Sequence, residues 1–320
     1  MNALIKNIDA NIYESKNGEF LLVRLVASNG AIGYGEATLP GSNPQVKSLI
    51  KNIIAPFLTG KDICQANALS YELMTDYSNI ALRRAIAGVE IASWDAFGKT
   101  VGQPVYKLLG GKALPVLPLS AGLADNPYAG AASITRLKLS SLSAADLDGI
   151  TRIKSKGGNI IIDCSDAPAG ADMAEYARAA GSFDPVYITG LSPIEDEPAW
   201  DALKAAGKSP MAARASARAD AYPYIIKARA SVIEADALNA PGILELRKLA
   251  ALAHTYYVNI AGYTEGGEIA AAAACHSLLS CANAVSANLP EAGYPELLSG
   301  RPDYTDFDKP GLGIELVAWE

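Results

Sequence analysis

The hydrophobic and polar positions of the first third of the chain predict a mixture of strands and helices. The stretch EFLLVRLVASNGAIGYGEA predicts two strands joined at an Asn-Gly turn. A helical stretch, LIKNIIAPFL, follows it, and ALRRAIAGVEIASWDAFG has apolar positions at the spacing of a largely buried helix. The segment VYKLLGGK then ends in glycines, which commonly terminate a helix. This part of the chain is typical of an α+β domain.

After Leu114 the pattern changes to short apolar runs separated mostly by alanine-rich amphipathic stretches. Eight such runs follow one another: VLPLS, ITRLKLS, NIIIDCS, PVYIT, SPMAARAS, SVIEAD, YYVNIAG and NAVSANL. Strands that alternate with helices predict parallel βαβ units, and eight of them close naturally into a (β/α) barrel. The segment between the first two runs, AGLADNPYAGAAS, predicts a reduced outer helix. An open, doubly wound sheet is the alternative, although no glycine-rich phosphate loop follows the first run.

Composition and charge exclude several classes of protein. The chain has 320 residues, 50% of them hydrophobic, and a net charge of -7, which describes an ordinary globular protein. Without a basic stripe, nucleic acid is not an expected partner. No apolar run reaches the roughly 18 residues that span a bilayer, and the N-terminus lacks the apolar core of a signal peptide. The four cysteines form no CxxC pair, so we expect free thiols in a cytoplasmic protein.

Charged residues recur where the predicted barrel strands end. Taken singly, a charge at a strand end is often a solvated side chain or a helix cap. In a barrel, however, the carboxyl ends of all strands surround one mouth, where the chemistry of such folds lies. Five successive units each provide such a residue, so we expect these side chains to cluster: Lys138, Asp163, Glu195 or Asp196, Arg214 and Asp236.

The residue types at these positions suggest particular chemistry. Asp163 and the run Glu195-Asp196-Glu197 carry the hard oxygen ligands that Mg²⁺ prefers. Lys138, if it lay beside a cation or an apolar wall, would have a lowered pKa and could act as a general base. Arg214 cannot lose its charge, so it should be paired if it is buried.

Three segments make the chain resemble the mandelate racemase and muconate lactonizing enzyme family of the enolase superfamily. They are ASWDAFGKTVGQPVYKLLGGK, GYGEA and DKPGLGIEL. The resemblance implies a modified TIM (β/α) barrel over residues 114–299. It also implies an α+β capping domain made by residues 1–113 together with residues 300–320. A homo-oligomer is a further implication of the resemblance.

The resemblance also implies a Mg²⁺ site made by three carboxylates at the ends of strands three, four and five. That metal would stabilise the enolate formed when a proton is removed beside a carboxylate. Asp163 matches the first ligand, and Glu195 or Asp196 matches the second, because IEDEP has one residue more than the usual motif. The third ligand position is Ala215, within Arg214-Ala215-Ser216, so tight Mg²⁺ binding is not expected.

The catalytic positions of the family are only partly retained. Its Lys-x-Lys pair on strand two becomes Arg136 and Lys138, which keeps the second lysine as the candidate base. Asp236 matches the aspartate that supports a catalytic histidine, but Gly262 stands where that histidine would be. Glu291 is a shifted candidate for the glutamate that strand eight commonly provides.

These matches leave three hypotheses open. The first is an altered isomerase or lyase: Lys138 removes a proton next to a carboxylate, and Arg214, with Arg136, stabilises the oxyanion or holds a substrate carboxylate. The second is a conventional Mg²⁺-dependent enzyme whose strand-five register has been misassigned, with Asp220 as the nearest alternative ligand. The third is a non-catalytic descendant that retains the fold for binding or assembly. In the first two, the partner is a small carboxylate-bearing molecule. In the absence of the third ligand, we expect Arg214 to pair with Asp163 or Glu195.

Overall fold

A computed structural model describes residues 3–65, 72, 78–123, 126, 128–191, 197–207, 209–227, 229–317 and 319. No helix in these parts of the chain is both long enough and apolar enough to cross a membrane. The fold consists of a three-stranded antiparallel sheet with its helices and an eight-stranded parallel sheet with its own. It is of the α/β class, as the sequence predicted.

The N-terminal sheet contains one strand more than the hydrophobic pattern predicted. Its strands lie in the order β1-β2-β3 and comprise β1 (Ile5–Ser15), β2 (Gly18–Ala27) and β3 (Ile32–Glu36). The β2–β3 hairpin is the one expected around the Asn-Gly turn. The β1 strand pairs with β2 along its whole length. It was missed because only Ile5, Ile8 and Ala10 of its side chains are fully buried, which leaves too weak an alternation to detect.

The helices of this part follow the predicted segments. They are α1 (Asn43–Leu49), a π-helical turn (Ile50–Ile54), α2 (Ala55–Leu58), a 3₁₀ turn (Ile63–Gln65), α3 (Ile80–Val101) and α4 (Val105–Leu108). The long helix α3 is capped by Asn79, whose side chain accepts a hydrogen bond of 3.0 Å from the backbone N–H of Leu82. It ends at Gly102, which adopts the left-handed conformation that stops helices (φ 63°).

Eight parallel strands form the barrel, each from one of the eight predicted runs. They are β4 (Leu119–Ala121), β5 (Ile134–Lys138), β6 (Asn159–Asp163), β7 (Ile188–Thr189), β8 (Ala212–Arg214), β9 (Val232–Ala235), β10 (Asn259–Gly262) and β11 (Ala284–Asn288). Their order is β7-β6-β5-β4-β11-β10-β9-β8. A parallel bridge between Ile188 and Met211 joins the two ends of this sheet. The sheet is therefore a nearly closed barrel, and the open-sheet alternative is wrong.

The outer layer contains six α-helices within the described residues. They are α5 (Ala144–Lys154), α6 (Met173–Gly181), α7 (Glu197–Ala206), α8 (Arg218–Ile226), α9 (Ile243–Thr255) and α10 (Glu268–Leu279). Between β4 and β5 the described residues form only a 3₁₀ turn, Ala129–Ala131. The reduced outer helix predicted there is confirmed. A second 3₁₀ turn, Pro295–Leu297, follows the last strand.

The C-terminal segment returns to the N-terminal sheet and to α3. Asp95 of α3 accepts hydrogen bonds of 2.8 Å from the backbone N–H groups of both Tyr34 and Leu312. The ring of Trp319 lies edge-on to Tyr13 of β1, with 5.9 Å between the ring centroids. These contacts join the two termini in one capping layer. The boundaries at residues 113 and 299 stay a prediction.

Two buried glutamates of the capping layer bind the N-termini of barrel helices and so hold the layer on the barrel. Glu36, at the end of β3, accepts backbone N–H groups at the start of α10, at 2.8 Å from Gly267 and 3.2 Å from Ala270. Glu90 of α3 accepts those of Ile243 and Leu244 at the start of α9, at 2.8 and 3.1 Å. A carboxylate at a helix N-terminus satisfies unpaired donors and interacts favourably with the helix dipole. The glutamate of GYGEA therefore has a structural function.

The two glycines of GYGEA let β3 lie directly against α3. A Cβ atom on Gly35 would lie 1.9 Å from the carbonyl oxygen of Gly88, and one on Gly33 would lie 2.0 Å from that of Ala92. Both carbonyl oxygens belong to the backbone of a buried helix, so neither can move away without disturbing the packing of that helix.

We expect Gly35→Ala to lower the free energy of unfolding by roughly 1–3 kcal/mol, because the added methyl group overpacks this contact. Chemical denaturation of the full chain measures the change. Gly158→Ala is the control, since a Cβ atom there meets no atom within 4 Å. Equal unfolding midpoints for the two variants would contradict the proposed contact.

Candidate functional site

Four charged side chains meet inside the barrel. They come from four strands: Arg136 from β5, Asp163 from β6, Arg214 from β8 and Glu234 from β9. Side chains on a strand alternate between its two faces, so residues two apart share a face. Below the four charges lies an apolar layer of residues about two positions earlier on each strand: Ile134, Ile161, Tyr187, Ala212, Val232 and Ala261. The charged group thus forms the next layer toward the mouth of the barrel.

Arg136 links the two carboxylates. Its Nε and Nη2 donate to Oδ2 of Asp163 at 3.1 and 2.8 Å. Its Nη1 donates to Oε1 of Glu234 at 2.9 Å. The residue is 4% exposed, so it contributes its charge almost wholly inside the protein. Burial alone would lower the pKa of Arg136, but the neighbouring carboxylates, Glu234 foremost, hold it well above its usual value.

Arg214 bridges the same two carboxylates from the other side. Its Nη2 donates to Oδ2 of Asp163 at 2.8 Å, and its Nε donates to Oε2 of Glu234 at 3.1 Å. The predicted pairing of Arg214 with Asp163 is confirmed. The register between β8 and β9 places Arg214 opposite Glu234. Asp220 instead lies in the first turn of α8, so no carboxylate of this segment replaces Arg214 at the strand end.

Glu234 is completely buried, and neutral donors complete its hydrogen bonds. Its Oε1 accepts from the hydroxyl group of Tyr187 at 2.9 Å, and its Oε2 accepts from that of Thr189 at 2.5 Å. Tyr187 is in turn within 3.1 Å of Ser286 Oγ on β11. The buried carboxylate is therefore paired and hydrogen-bonded on both oxygens, which is the condition for tolerating such a charge.

Burial and pairing act in opposite directions on the two carboxylates. Burial raises the pKa of each, but the positive charges of Arg136 and then Arg214 outweigh burial and lower the pKa of both Asp163 and Glu234 below their usual values. Both groups are consequently ionised at neutral pH. Two positive and two negative charges cancel, so the cluster is neutral as a whole.

An aromatic ring lies against the arginines. The centroid of Tyr263, the residue following β10, is 4.2 Å from the guanidinium carbon of Arg214 and 5.5 Å from that of Arg136. A guanidinium over an aromatic face is attracted to the negative face of the ring. Tyr263 follows Gly262, the position where the family resemblance implied a histidine.

Lys138 does not join the cluster. Its side chain is 54% exposed, and its Nζ lies 3.1 Å from Oδ2 of Asp166. The hydrogen bond with Asp166 is the largest influence, and it raises the pKa of Lys138 above its usual value. The prediction of a lowered pKa was wrong because the turn after β6 brings Asp166, rather than a cation or an apolar wall, to the lysine.

Asp236 lies at the mouth, but backbone groups occupy its carboxylate. Oδ1 accepts the N–H of Leu238 at 2.7 Å, and Oδ2 accepts the N–H of Glu265 at 2.9 Å. Burial raises the pKa of Asp236, and the nearby charge of Arg84 partly opposes that effect. These contacts give the residue a structural function, and its catalytic role stays a prediction.

The described residues do not fit the Mg²⁺ site that the family resemblance implies. Oδ2 of Asp163 accepts three N–H groups from the arginines, and Oδ1 accepts the backbone N–H and hydroxyl groups of Ser165. Ala215 has no side-chain oxygen to offer. Glu195 and Asp196 lie outside the described residues. Among the residues that are described, no group of three or more His, Cys, Asp or Glu side chains could hold a metal ion.

Sequence analysis missed Glu234, although a signal for it was present. The run SVIEAD carries its charges two residues apart, so Glu234 and Asp236 had to share the interior face of one strand. Only Asp236, at the end of that run, was predicted to reach the mouth of the barrel. Tyr187 and Thr189 were missed for a different reason, because hydroxyl groups in an apolar run carry no charge that would require a partner.

Replacing Arg136 should lower the stability of the protein more than replacing Arg214. We expect Arg136→Met to lower the free energy of unfolding by roughly 3–5 kcal/mol, since it removes the more buried partner of two buried carboxylates. Arg214→Met should cost about 1–3 kcal/mol, because Arg136 still pairs with both carboxylates and Arg214 is partly solvated. Urea denaturation at pH 7 checks the order, and a smaller loss for Arg136→Met than for Arg214→Met would contradict it.

The loss of stability caused by Arg214→Met should depend on pH. Folding lowers the pKa values of Asp163 and Glu234 below their unfolded values, which lie near 3.8 and 4.5. Pairing of the two carboxylates therefore stabilises the protein fully at pH values above these unfolded pKa values. The stabilisation is lost as the pH falls toward the lower pKa values of the folded state. The difference in unfolding free energy between the natural chain and Arg214→Met should therefore shrink as the pH is lowered below about 4. A difference that stays constant from pH 7 to pH 3 would show that Arg214 does not act through these carboxylates.

Known proteins resemble this chain both in its N-terminal part and in its barrel. Residues 7–110 match the mandelate racemase / muconate lactonizing enzyme N-terminal domain, and residues 129–319 match the enolase C-terminal domain-like family. A D-galactonate dehydratase of Xanthomonas euvesicatoria pv. vesicatoria (strain 85-10) is 27% identical over 340 residues, which cover 93% of this chain and 88% of that protein. A D-galactonate dehydratase of Pectobacterium atrosepticum is 26% identical over 339 residues, with the same coverage.

Solved structures show the same architecture. Muconate cycloisomerase from Pseudomonas fluorescens superposes with a TM-score of 0.83 and 25% identity, covering 99% of this chain and 97% of that one. A mandelate racemase/muconate lactonizing enzyme-like protein from Roseovarius sp. TM1035 superposes equally well at 20% identity, over 98% of this chain and 93% of that one. The chain belongs to the mandelate racemase/muconate lactonizing enzyme family of the enolase superfamily.

Proposed function

We propose that this protein binds a small carboxylate-bearing molecule at the barrel mouth, without a divalent cation, and that Arg214 contacts the carboxylate. The family acts on carboxylates and typically uses Mg²⁺ to hold them. In this chain the guanidinium of Arg214 stands at the end of β8, beside the third ligand position Ala215, and its positive charge is permanent. The observation that carries the proposal is that Arg214 is buried enough to be fixed, yet its side chain is 32% exposed.

The remaining donors of Arg214 suit a carboxylate. Its Nε and one N–H of Nη2 are used inside the cluster, whereas Nη1 donates to none of the residues that the structure describes. A guanidinium has five N–H donors in one plane, and an edge of it can bind both oxygens of a carboxylate. The cluster holds that plane in place, so little side-chain entropy remains to be lost on binding.

Binding should depend on Arg214 and be independent of Mg²⁺. Titration calorimetry with D-galactonate and with muconate, in EDTA and then in millimolar MgCl₂, is expected to give the same Kd in both buffers for any ligand that binds. Arg214→Lys keeps the charge but loses the bidentate geometry, and it should weaken binding by about tenfold, or 1.4 kcal/mol. Arg214→Met should abolish binding, with circular dichroism confirming that the variant is folded. Binding that appears only with Mg²⁺ would overturn the proposal.

We also expect no tight Mg²⁺ binding by the natural chain. The metal would have to displace two guanidinium groups from Asp163, and their charges oppose its approach. Calorimetry at millimolar Mg²⁺ tests this directly, with Asp163→Ala as the matched variant. Clear one-site binding by the natural chain that disappears in Asp163→Ala would show that the metal site is intact.

Proton abstraction by Lys138, in an isomerase or lyase reaction, is the second candidate function. Its support is the position of Lys138 at the carboxyl end of β5, on the same face as Arg136. A lysine acts as a base only when it is uncharged, and Asp166 keeps this one protonated.

If Lys138 is the base, exchange of the α-proton of a bound carboxylate with D₂O should be slow at pH 7 and rise toward pH 10. Proton NMR measures the exchange, and Lys138→Met should abolish it while binding persists. Arg214-dependent binding with no Lys138-dependent exchange at any pH would favour the non-catalytic alternative, a family member that binds without turnover.

A further inference from the structure

A cleft of about 430 Å³ lies at the end of the barrel opposite to the mouth. It is formed by one face of α9 and by the connection from α10 to β11, at the end of the barrel where the strands begin. The volume lies within the range of pockets that hold small molecules. Its described lining shares no residue with the charged cluster, so the cleft is a separate place on the molecule.

The floor of the cleft is apolar because its small side-chain donors are already used. Nδ2 of Asn283 donates to the backbone oxygens of Ala250 and Val258 at 3.1 and 2.9 Å, which ties α9 to the start of β11. The hydroxyl group of Ser280 donates to the backbone oxygen of Ser277 at 2.7 Å. The surface that these groups leave to a ligand is mainly hydrocarbon, in a concave position where it can bind an apolar group.

The charged groups in and behind the cleft leave it positive. Its described lining contains no carboxylate. Lys248 lines the cleft, but its Nζ lies 3.2 Å from Oε2 of the buried Glu245, whose Oε1 accepts Nε of Arg218 at 2.6 Å. Lys248 also acts on the buried carboxylate of Glu90. These two cations and two carboxylates balance, so Arg247, which also lines the cleft, adds an uncompensated positive charge.

Arg247 is half-buried, yet its guanidinium makes no ion pair or hydrogen bond with any residue that the structure describes. Its Nη2 lies beside the turn after α4, 3.7 Å from the point where Gly110 would carry a Cβ atom. Arg136 and Arg214, by contrast, each pair with two carboxylates. A guanidinium presents five N–H donors in one plane, and an edge of it suits the two oxygens of a carboxylate. The cleft therefore offers one unused anion-binding group beside an apolar floor.

We propose that this cleft binds a small carboxylate with an apolar body. The carboxylate pairs with Arg247, and the apolar body lies along Ala250 and Ala251 toward His254. Arg247, Ala251 and His254 are four and then three residues apart, so they share one face of α9. From Arg247 to His254 the helix rises by about 10 Å, which matches an aryl ring with a short alkyl arm. The site is separate from the Arg214 site, and the two proposals stand independently.

Three probes of nearly equal shape test the charge: 3-phenylpropionate, 3-phenylpropanol and 3-phenylpropylamine, titrated into the full chain by calorimetry. We expect the carboxylate to bind at least about tenfold more tightly than the alcohol, and the amine to bind more weakly than either. Arg247→Gln should bring the carboxylate to the affinity of the alcohol and leave the alcohol unchanged. Equal affinities of carboxylate and alcohol for the natural chain, or no binding of the carboxylate, would overturn the proposal.

Two matched substitutions on exposed helix positions test the location. Ala251→Leu should abolish binding at this site by filling the cleft, whereas Ala202→Leu, on the exposed face of α7, should retain it within about twofold. Both variants should unfold near the midpoint of the natural chain, because alanine and leucine are similarly good helix formers. Arg214→Met, which acts at the mouth, should leave the binding that depends on Arg247 unchanged. Unaltered binding in Ala251→Leu, or loss of that binding in Arg214→Met, would place the carboxylate elsewhere and overturn the assignment.

Discussion

The interior of this barrel depends on the pairing of two arginines with two carboxylates. Asp163 and Glu234 come from different strands, and either would be costly alone in a closed barrel. Arg136 and Arg214 each contact both of them, so four strands are linked through one neutral group. Tyr187, just before β7, and Thr189, at its end, complete the hydrogen bonds of Glu234. Every member is paired, which is the arrangement in which buried charges are tolerated.

Buried carboxylates also attach the capping layer to the barrel. Glu36 and Glu90 reach from the N-terminal part to the first turns of α10 and α9. Burial raises the pKa of Glu90 to about 7, while the backbone donors oppose that shift. Unlike the barrel carboxylates, Glu90 pairs chiefly with backbone dipoles rather than with full charges. The position of the cap over the mouth is therefore fixed by helix ends.

Much of this arrangement could be predicted from the sequence because it depends on periodicity. The eight barrel strands and the reduced outer helix follow from the spacing of apolar runs, and the place of Arg214 follows from the end of one run. Glu234 escaped prediction because it lies within an apolar run, where only the alternation of faces reveals that it points inward. The pKa of Lys138 could not be predicted, since it depends on how the turn after β6 places Asp166. That turn reaches Lys138 because β5 and β6 pair with Lys138 opposite Asp163, and such a contact between two segments is not visible in a local pattern.

The shared carboxylates also constrain how this chain could change over generations. A carboxylate introduced at Ala215 while both arginines remain would add an unpaired negative charge beside a neutral group. Removing Arg214 first would leave one guanidinium facing two carboxylates, and removing Arg136 would leave the same imbalance deeper in the barrel. Each single step toward the metal site that the family resemblance implies thus passes through a less stable protein. The paired guanidinium of Arg214 therefore hinders a change to a metal site, because that change requires several substitutions at once.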